Sequence, residues 1–327
     1  GPQGPQGATG ATGPAGTGVD SDSDGNTVGG TDAGTNLASG AIRNTFYGYN
    51  SGDAVTTQDK NSFFGWEAGG NGHQNVAVGH YAANGMTGNY NVAVGDASMG
   101  YGVTGEENIG IGRNTLFANT SGSRNIAVGS FALDSLTTAT DNTFVGYNSG
   151  TALTTGSNNT CLGYEAGKSL TTSGNGVYIG YRAGKTYSTE NQFSTSTISV
   201  GARSGENATG VRNTFLGSYA GQNSGSGAYN VYIGNEVAKS NTGSSNIAIG
   251  DNTFVAWGSG GNNVVVGRYS GVALTSGNTC TFLGYNVANN ATTGSNNICL
   301  GNAAQLSSAT VSNEVTIGDS NITKFRI

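Results

Sequence analysis

Three aspartates near the start of the chain have the spacing of calcium ligands. Asp20, Asp22 and Asp24 precede a glycine in a D-x-D-x-D-G pattern, which matches the first half of an EF-hand loop. The twelfth position of such a loop is Thr31 instead of glutamate, and no helical periodicity flanks the segment. These departures favour a solvated acidic linker over a metal site, so we expect neither a bound metal nor another cofactor.

Three tyrosines recur at a spacing that would align them. Tyr147, Tyr164 and Tyr181 follow one another at equal intervals, and Tyr187 and Phe193 lie in an insertion just beyond them. Aromatic rings in register can stack as a structural ladder, or they can offer flat faces to sugar rings. Both interpretations stay open, and these five aromatics are the candidate contacts with a glycan or a protein partner.

Residues of the kinds that perform catalysis are sparse. The only two histidines, His73 and His80, have no cysteine or carboxylate at metal-ligand spacing, and no G-x-S-x-G motif marks a serine nucleophile. The carboxylates are too few and too scattered to indicate the pair that cleaves a glycosidic bond. We therefore predict a protein that is not an enzyme, with a fibre-borne glycan depolymerase as the alternative from that class.

A short repeat organises most of the chain and must position these side chains. A short apolar stretch, usually preceded by Asn, recurs along the chain and each time ends in a glycine. Most of these closing glycines lie 17 residues apart, as Gly112 and Gly129 do. A period this short indicates a solenoid in which each repeat forms one coil. Helical periodicity is absent, so we predict an all-β fold, a parallel β-roll or β-solenoid of about 17 short coils. The closing glycines are Gly48, Gly65, Gly79, Gly95, Gly112, Gly129, Gly146, Gly163, Gly180, Gly201, Gly217, Gly234, Gly250, Gly267, Gly284, Gly301 and Gly318.

The pattern within a repeat predicts which side chains face the interior. With the closing glycine as place 0, place −1 is apolar in every repeat and place −3 is β-branched or Ser. Because alternate residues of a strand share a face, both places are expected to point into the coil. Place −2, which includes Phe46, Cys161 and Tyr178, is then expected to point outwards and to lie at a subunit interface.

The segment 1–18 follows a different rule. Glycine occupies every third place from Gly1 to Gly16, and all three prolines of the chain lie in this segment. Only glycine fits the axis of a collagen triple helix, so the segment predicts a three-chain stem; a flexible glycine-rich linker is the alternative. We expect a homotrimer with a collagen-like stem over 1–18, a polar linker over 19–41, a β-roll shaft over 42–318 and a C-terminal cap over 319–327.

The coils resemble two known kinds of repeat. The segment NTFVGYNSG at 142–150 resembles repeats of phage tail-fibre proteins, and NVAVG at 75–79 resembles repeats in the heads of trimeric autotransporter adhesins, which form left-handed parallel β-rolls. The segment EVTIGDSNIT at 314–323 is similar to the one that precedes the self-cleaving intramolecular chaperone of many tail fibres. The resemblance implies a structural phage or viral tail fibre that serves host attachment and ends where such a chaperone would begin. A bacterial surface adhesin or extracellular appendage subunit is the alternative.

Charge and hydropathy bear on partners and location. The net charge of −6 argues against nucleic acid as a partner, and no apolar run reaches the roughly 20 residues that cross a bilayer. The expected partners are other copies of the chain, a host-surface glycan or protein, and other fibre or virion proteins. The expected location is extracellular, on a virion tail fibre or a cell-surface appendage.

Overall fold

The computed structural model describes residues 20–100, 102–186, 196–256, 258–322 and 324. Within these ranges the chain forms strands and turns and contains no helix. The predicted collagen-like stem, together with Tyr187 and Phe193, lies outside the described residues. The strands are β1 Asp20–Ser21, β2 Thr27–Gly29, β3 Thr45–Tyr47, β4 Ser62–Phe64, β5 Val76–Val78, β6 Val92–Val94, β7 Ile109–Ile111, β8 Ile126–Val128, β9 Thr143–Val145, β10 Thr160–Leu162, β11 Val177–Ile179, β12 Ile198–Val200, β13 Thr214–Leu216, β14 Val231–Ile233, β15 Ile247–Ile249, β16 Val264–Val266, β17 Thr281–Leu283, β18 Ile298–Leu300 and β19 Val315–Ile317.

The strands form one sheet that winds along the chain as a parallel β-solenoid. From β2 to β19, strands that are consecutive in the chain pair in parallel with each other. The register matches place for place, so that Phe144 lies beside Cys161, and Cys161 beside Tyr178. Equivalent places of successive coils therefore stack in columns along the solenoid. The predicted all-β solenoid is confirmed.

The stack begins one coil earlier than the predicted linker boundary. Strand β2 lies inside the 19–41 segment, yet it pairs in parallel with β3 from Thr27 beside Thr45 to Gly29 beside Tyr47. The short strand β1 pairs antiparallel with β2. The apolar repeat pattern missed this coil because glycine occupies place −1 in β2, where every later coil has an apolar residue.

The side chains of place −2 point into the coil, whereas the sequence pattern predicts that they point outwards. The middle residue of each strand from β3 to β18 is buried, whereas its two neighbours are half-buried or exposed. Phe46 stacks on Phe63 with ring centroids 5.1 Å apart, and Phe215 stacks on Tyr232 at 5.4 Å. The aromatics that we expected at a subunit interface therefore fill the core. The prediction for places −1 and −3 is wrong, because it took the more uniformly apolar side of the strand to be the inside.

The chain turns at the closing glycine and at residues with left-handed backbone conformation. Gly146 has a φ of 144°, and a side chain there would collide with the carbonyl group of Gly163 in the next coil. Glycine is required because successive coils approach so closely at this place. Places −5 and +2 also have positive φ without glycine, as at Asp141 (61°) and Asn148 (54°). These corners let one coil close within a single repeat period.

Buried asparagines at place −4 join each coil to the next. The Nδ2 of Asn125 donates to the carbonyl oxygen of Ala139 (2.8 Å), and its Oδ1 accepts from the backbone N–H of Asn142 (3.2 Å). Such contacts satisfy backbone groups that would otherwise be buried without partners. In the sequence these asparagines only mark the start of each repeat, and the repeat pattern does not predict their structural role. This asparagine ladder comprises Asn26, Asn44, Asn61, Asn75, Asn91, Asn108, Asn125, Asn142, Asn159, Asn213, Asn230, Asn246, Asn263 and Asn297.

Replacing one member of the asparagine ladder should weaken the whole stack. The variant Asn125→Ala leaves the N–H of Asn142 and the carbonyl of Ala139 without this partner, and each unsatisfied buried group costs about 1–3 kcal/mol. We expect the unfolding free energy, measured by chemical denaturation, to fall by about 2–5 kcal/mol. Asn235→Ala is the control, because Asn235 is exposed and Ala202 occupies the same place +1 in another coil. Equal losses in the two variants would contradict a stabilising role of the ladder.

Candidate functional sites

One face of the sheet carries uncharged side chains that remain accessible along the whole stack. Places −3 and −1 of β2 to β19 hold Val, Ile, Leu, Thr and Ser, with one glycine in β2, and include Tyr47 and Phe64 near the start. The exposed fraction is 38% for Val78, 37% for Val145 and 40% for Ile247. We call these two columns the sheet face. Its side chains are mostly aliphatic, with Thr or Ser at place −3 of some coils, and in the single chain it lies in contact with solvent.

Charged residues border the sheet face on both sides without entering it. At place −5, Arg124 donates to Asp141 through Nε (2.6 Å) and Nη2 (2.9 Å). At place +1, the Nε of Arg268 lies 3.1 Å from Asp251 Oδ2. An apolar centre with a polar rim is the arrangement found in protein–protein interfaces.

The sheet face is also large. At about 4.8 Å per strand, the stack from β2 to β19 extends over about 80 Å, and three extended residues are about 10 Å wide, which gives about 800 Å². The largest apolar patch on a typical monomeric protein covers roughly 300–600 Å². Size and composition together make the sheet face a candidate contact surface for a protein partner.

The tyrosines singled out by their spacing are stacked on one another. The ring centroids of Tyr147 and Tyr164 are 5.7 Å apart, and those of Tyr164 and Tyr181 are 5.4 Å apart, with interplanar angles of 13° and 12°. We call these three residues the tyrosine ladder; all are exposed at place +1. The rings cover one another's faces within the ladder, so a flat face remains only at its two ends. Phe131 meets the Tyr147 ring edge-on at 6.2 Å at the N-terminal end.

The other end of the tyrosine ladder is bordered by a small residue and by cations. In the coil after Tyr181, place +1 is the exposed Ala202. The guanidinium carbons of Arg182 and Arg203 lie 5.1 Å and 5.9 Å from the centroid of the Tyr181 ring. The Arg203 guanidinium is also 5.9 Å from the ring of Tyr219. This end therefore combines an aromatic ring, a small exposed residue and two positive charges.

A buried carboxylate gathers three cations beside the same end. Glu165 is 5% exposed, and its oxygens lie 2.8 Å from Lys168 Nζ, 3.0 Å from Arg182 Nε and 2.9 Å from Lys185 Nζ. Loss of hydration favours a raised pKa for Glu165, but the hydrogen bonds and charges of Lys168 and Lys185 outweigh it and lower the pKa to about 2. Glu165 is thus ionised and holds the cations in place.

A second carboxylate completes the group. Glu206 accepts a hydrogen bond from Gln222 Nε2 at 2.7 Å, and it lies 3.8 Å from Arg182 Nη1 and 3.9 Å from Arg203 Nε. Four cations against two carboxylates leave a local excess of positive charge in a chain whose net charge is −6. We call this group the basic cluster; it comprises Glu165, Lys168, Arg182, Lys185, Arg203 and Glu206.

Asp22, the middle aspartate of the calcium-like pattern, is engaged in local structure. Asp22 Oδ1 accepts from the backbone N–H of Asp24 (3.0 Å) and of Asn26 (2.8 Å), and Oδ2 accepts from Asn26 Nδ2 (2.8 Å). The hydrogen bonds from Asn26 are the main reason that the pKa of Asp22 is lowered. Across the part of the chain that the structure describes, no group of three or more His, Cys, Asp and Glu side chains could hold a metal ion. Asp22 therefore stabilises the turn between β1 and β2.

The two histidines lie on the surface in different hydrogen bonds. His80 Nδ1 is 2.8 Å from Asp96 Oδ1, and both side chains are more than half exposed. His73 Nδ1 accepts from the backbone N–H of Asp59 at 3.1 Å. These contacts tie neighbouring coils together at the periphery.

Comparison with known proteins finds no protein family and no curated protein sequence that the chain matches. In the described ranges, no helix has the length and apolar character to cross a membrane. A functional assignment therefore has to start from two surfaces, the sheet face and the end of the tyrosine ladder with its basic cluster.

Protonation of Glu165 should destabilise the protein in acid. A carboxylate whose folded pKa is depressed stabilises the fold above its unfolded pKa and loses this contribution as the pH falls through the folded pKa. For Glu165 this window runs from about pH 5 down to about pH 2, and the full contribution is at most about 3 kcal/mol. The thermal midpoint of Glu165→Gln should lie below that of the wild type at neutral pH, and the gap should close towards pH 2.

The matched control for this pH dependence is Glu236→Gln. Glu236 occupies the same place +2 and pairs with Lys239 at i,i+3, as Glu165 does with Lys168, but the distance is 3.7 Å and both side chains are about a third exposed. We expect a small effect at every pH. A gap for Glu165→Gln that does not change with pH would contradict the role assigned to its charge.

Proposed function

We propose that the chain forms the shaft of a homotrimeric, non-enzymatic fibre that attaches a phage or virus to its host surface. The observation that supports this most is the sheet face, which runs uncharged along the solenoid. At about 25 cal/mol per Å², covering about 800 Å² stabilises an assembly by up to about 20 kcal/mol per chain before the cost of association. An isolated chain would leave this surface in water, so assembly through the sheet face is the natural state.

Two separate features favour three copies. The glycine triplets from Gly1 to Gly16 have the period that a three-chain helix requires. The sheet face is narrow, because each coil contributes to it a single strand of three residues. Three such narrow faces can close around a common axis and fill the space between them with Val, Ile and Leu side chains. Two faces in a dimer could also cover each other, and it is the glycine triplets that favour three.

The elongated shape fits a role in attachment. A stack of about 80 Å holds a binding surface away from the point where a fibre is anchored. In this proposal the partners are two further copies of the chain, a host-surface glycan or protein, and fibre or virion proteins at the ends. The proposed location is extracellular, on a virion tail fibre or a cell-surface appendage.

A bacterial adhesin or appendage subunit is the second candidate, favoured by coils of the NVAVG type at 75–79. The full-length gene separates the two, since an adhesin carries a C-terminal membrane anchor and a tail fibre carries a virion-attachment domain at its start. A glycan depolymerase is the third candidate, from the enzyme class. Incubation of the fibre with purified host polysaccharide should leave the polymer length unchanged, and shortening would overturn the non-enzymatic proposal.

Assembly can be tested by multi-angle light scattering. Three chains of 32.7 kDa give about 98 kDa, and this is the mass we expect for the wild type. In Val145→Asp a carboxylate replaces an aliphatic group at the centre of the sheet face, and a charge buried there without a partner costs several kcal/mol. Because Val145 is 37% exposed in the single chain, we expect this variant to fall apart into folded chains of lower mass.

Two comparisons make this test specific. Asn148→Asp places the same charge in the same coil at place +2, outside the sheet face, and should keep the mass of the wild-type trimer. Phe144→Ala empties the core next to Val145 and should cost about 3–5 kcal/mol of stability by opening a cavity. A wild-type monomer would contradict the interface, whereas the mass of two chains would keep the interface and contradict the threefold arrangement.

A further inference from the structure

We propose that the C-terminal end of the tyrosine ladder binds an acidic carbohydrate, with Tyr181 as the platform for a sugar ring and Arg203 as the partner of its carboxylate. This inference deepens the proposed attachment function and rests on it, because it names the class of ligand that the fibre would recognise. It differs from a contact spread over the whole ladder, since the two arginines that lie over Tyr181 are at this end.

The first feature is that place +1 of the next coil offers no aromatic ring to continue the tyrosine ladder. The tyrosine ladder continues at intervals of 5.7 Å and 5.4 Å and then stops at Tyr181, because place +1 of the following coil is the exposed Ala202. The coil after that has Ser218 at this place. The C–H groups on one face of a pyranose ring carry partial positive charge, and the face of an aromatic ring is negative. A sugar ring can therefore take the position of the next aromatic ring.

The second feature is an arginine with donors to spare. Arg182 is held by Glu165 (3.0 Å) and lies near Glu206. The Arg203 side chain forms no hydrogen bond with any described residue, and its Nε is 3.9 Å from Glu206 Oε2. A guanidinium presents a planar fork of donors that fits a carboxylate with two parallel hydrogen bonds. Arg203 is thus placed to bind an anion while remaining 5.9 Å from the Tyr181 ring.

The third feature is the way in which the basic cluster fixes these groups. Glu165 and Glu206 are 5% and 6% exposed, so their charges are compensated within the protein by the surrounding cations. The excess of positive charge remains at the surface, where Arg203 is 37% exposed. Anions are attracted to this point of an otherwise acidic chain. A ligand that satisfies both halves of the site must combine a flat C–H face with a carboxylate, as uronic and sialic acids do.

The site also lies outside the surface used for assembly. Tyr181 and Ala202 belong to place +1, the column that carries Asp251 and Arg268 at the rim of the sheet face. A homotrimer would carry three copies of the site, so that weak individual contacts add up on a polyvalent host surface.

Binding can be measured with tetragalacturonate and sialyllactose by isothermal titration calorimetry on the full chain. We expect at least one of them to bind, with an affinity that falls as salt is added. Maltotetraose, which is neutral, and polyglutamate, which carries carboxylates without sugar rings, should each bind at least about tenfold more weakly, a difference of about 1.4 kcal/mol. Equal binding of polyglutamate would reduce the site to a general anion site, and binding of neither acidic sugar would overturn the proposal.

Variants locate the site. Arg203→Gln and Tyr181→Leu should each weaken binding at least about tenfold. Arg203→Lys keeps the charge but loses the planar fork, so its affinity should lie between that of these variants and that of the wild type. The matched controls are Arg268→Gln, which removes an arginine that lies 4.5 Å from the Tyr269 ring, and Tyr285→Leu, which removes another exposed tyrosine from place +1. Both controls should bind as the wild type does, and a loss in either one equal to that in Arg203→Gln would place the contact elsewhere.

The outcome separates this inference from the proposed fibre. All described residues of the site belong to one chain, so binding can be measured whether the light-scattering mass is that of a trimer or a monomer. A trimer that binds none of the acidic sugars would overturn the inference and keep the fibre. A monomer that binds them through Arg203 would keep the site and overturn the assembly.

Discussion

The fold depends on how each short coil satisfies its buried backbone groups. From β2 onwards each strand has only three residues, so the sheet alone pairs only a small part of each coil. The asparagine ladder extends this pairing, because Asn142 accepts from the N–H of Asn159 (2.9 Å) and donates to the carbonyl of Gly156 (2.9 Å) one coil further along. An amide can make both contacts only if successive coils keep one register and one spacing. The closing glycine, which lets coils approach closely, serves this requirement, and the contact persists across the short repeat, where the N–H of Asn75 donates to Asn61 Oδ1 (2.9 Å).

The asparagine ladder also fixes which face of the strand is inside in the coils that carry one of its members. Place −4 is buried, and places −4 and −2 point to the same side because side chains alternate along a strand. Places −3 and −1 must then point outwards, however apolar they are. The repeat and the fold class could be predicted from the sequence, because they depend on periodicity alone. The facing could not be predicted from hydrophobicity, since both sides of the strand are apolar and the deciding residue is a polar one.

The sizes of the side chains carry information that average hydrophobicity does not. Place −2 varies from Gly110 to Phe144, and the space beside Gly110 is taken by Ser98, Met99 and Thr115. Such compensation between neighbours is characteristic of a packed interior. Places −1 and −3, in contrast, keep a nearly constant size along the stack, with aromatics confined to the first coils. A flat surface of even height suits contact with identical copies, whose own columns have the same profile.

The candidate site shows how far spacing alone can be used. The tyrosine ladder could be predicted from the equal sequence intervals between its members, since residues one period apart share a column. The basic cluster could not be predicted in this way. Arg182 and Arg203 both occupy place +2, but the one long repeat separates them in the sequence. The longer repeat hides their common column in the sequence, while the solenoid restores it in space. An insertion in a solenoid therefore changes the spacing of residues along the chain without disturbing the columns on either side, and it is at such an interruption that Tyr181, Ala202 and the guanidinium of Arg203 come together.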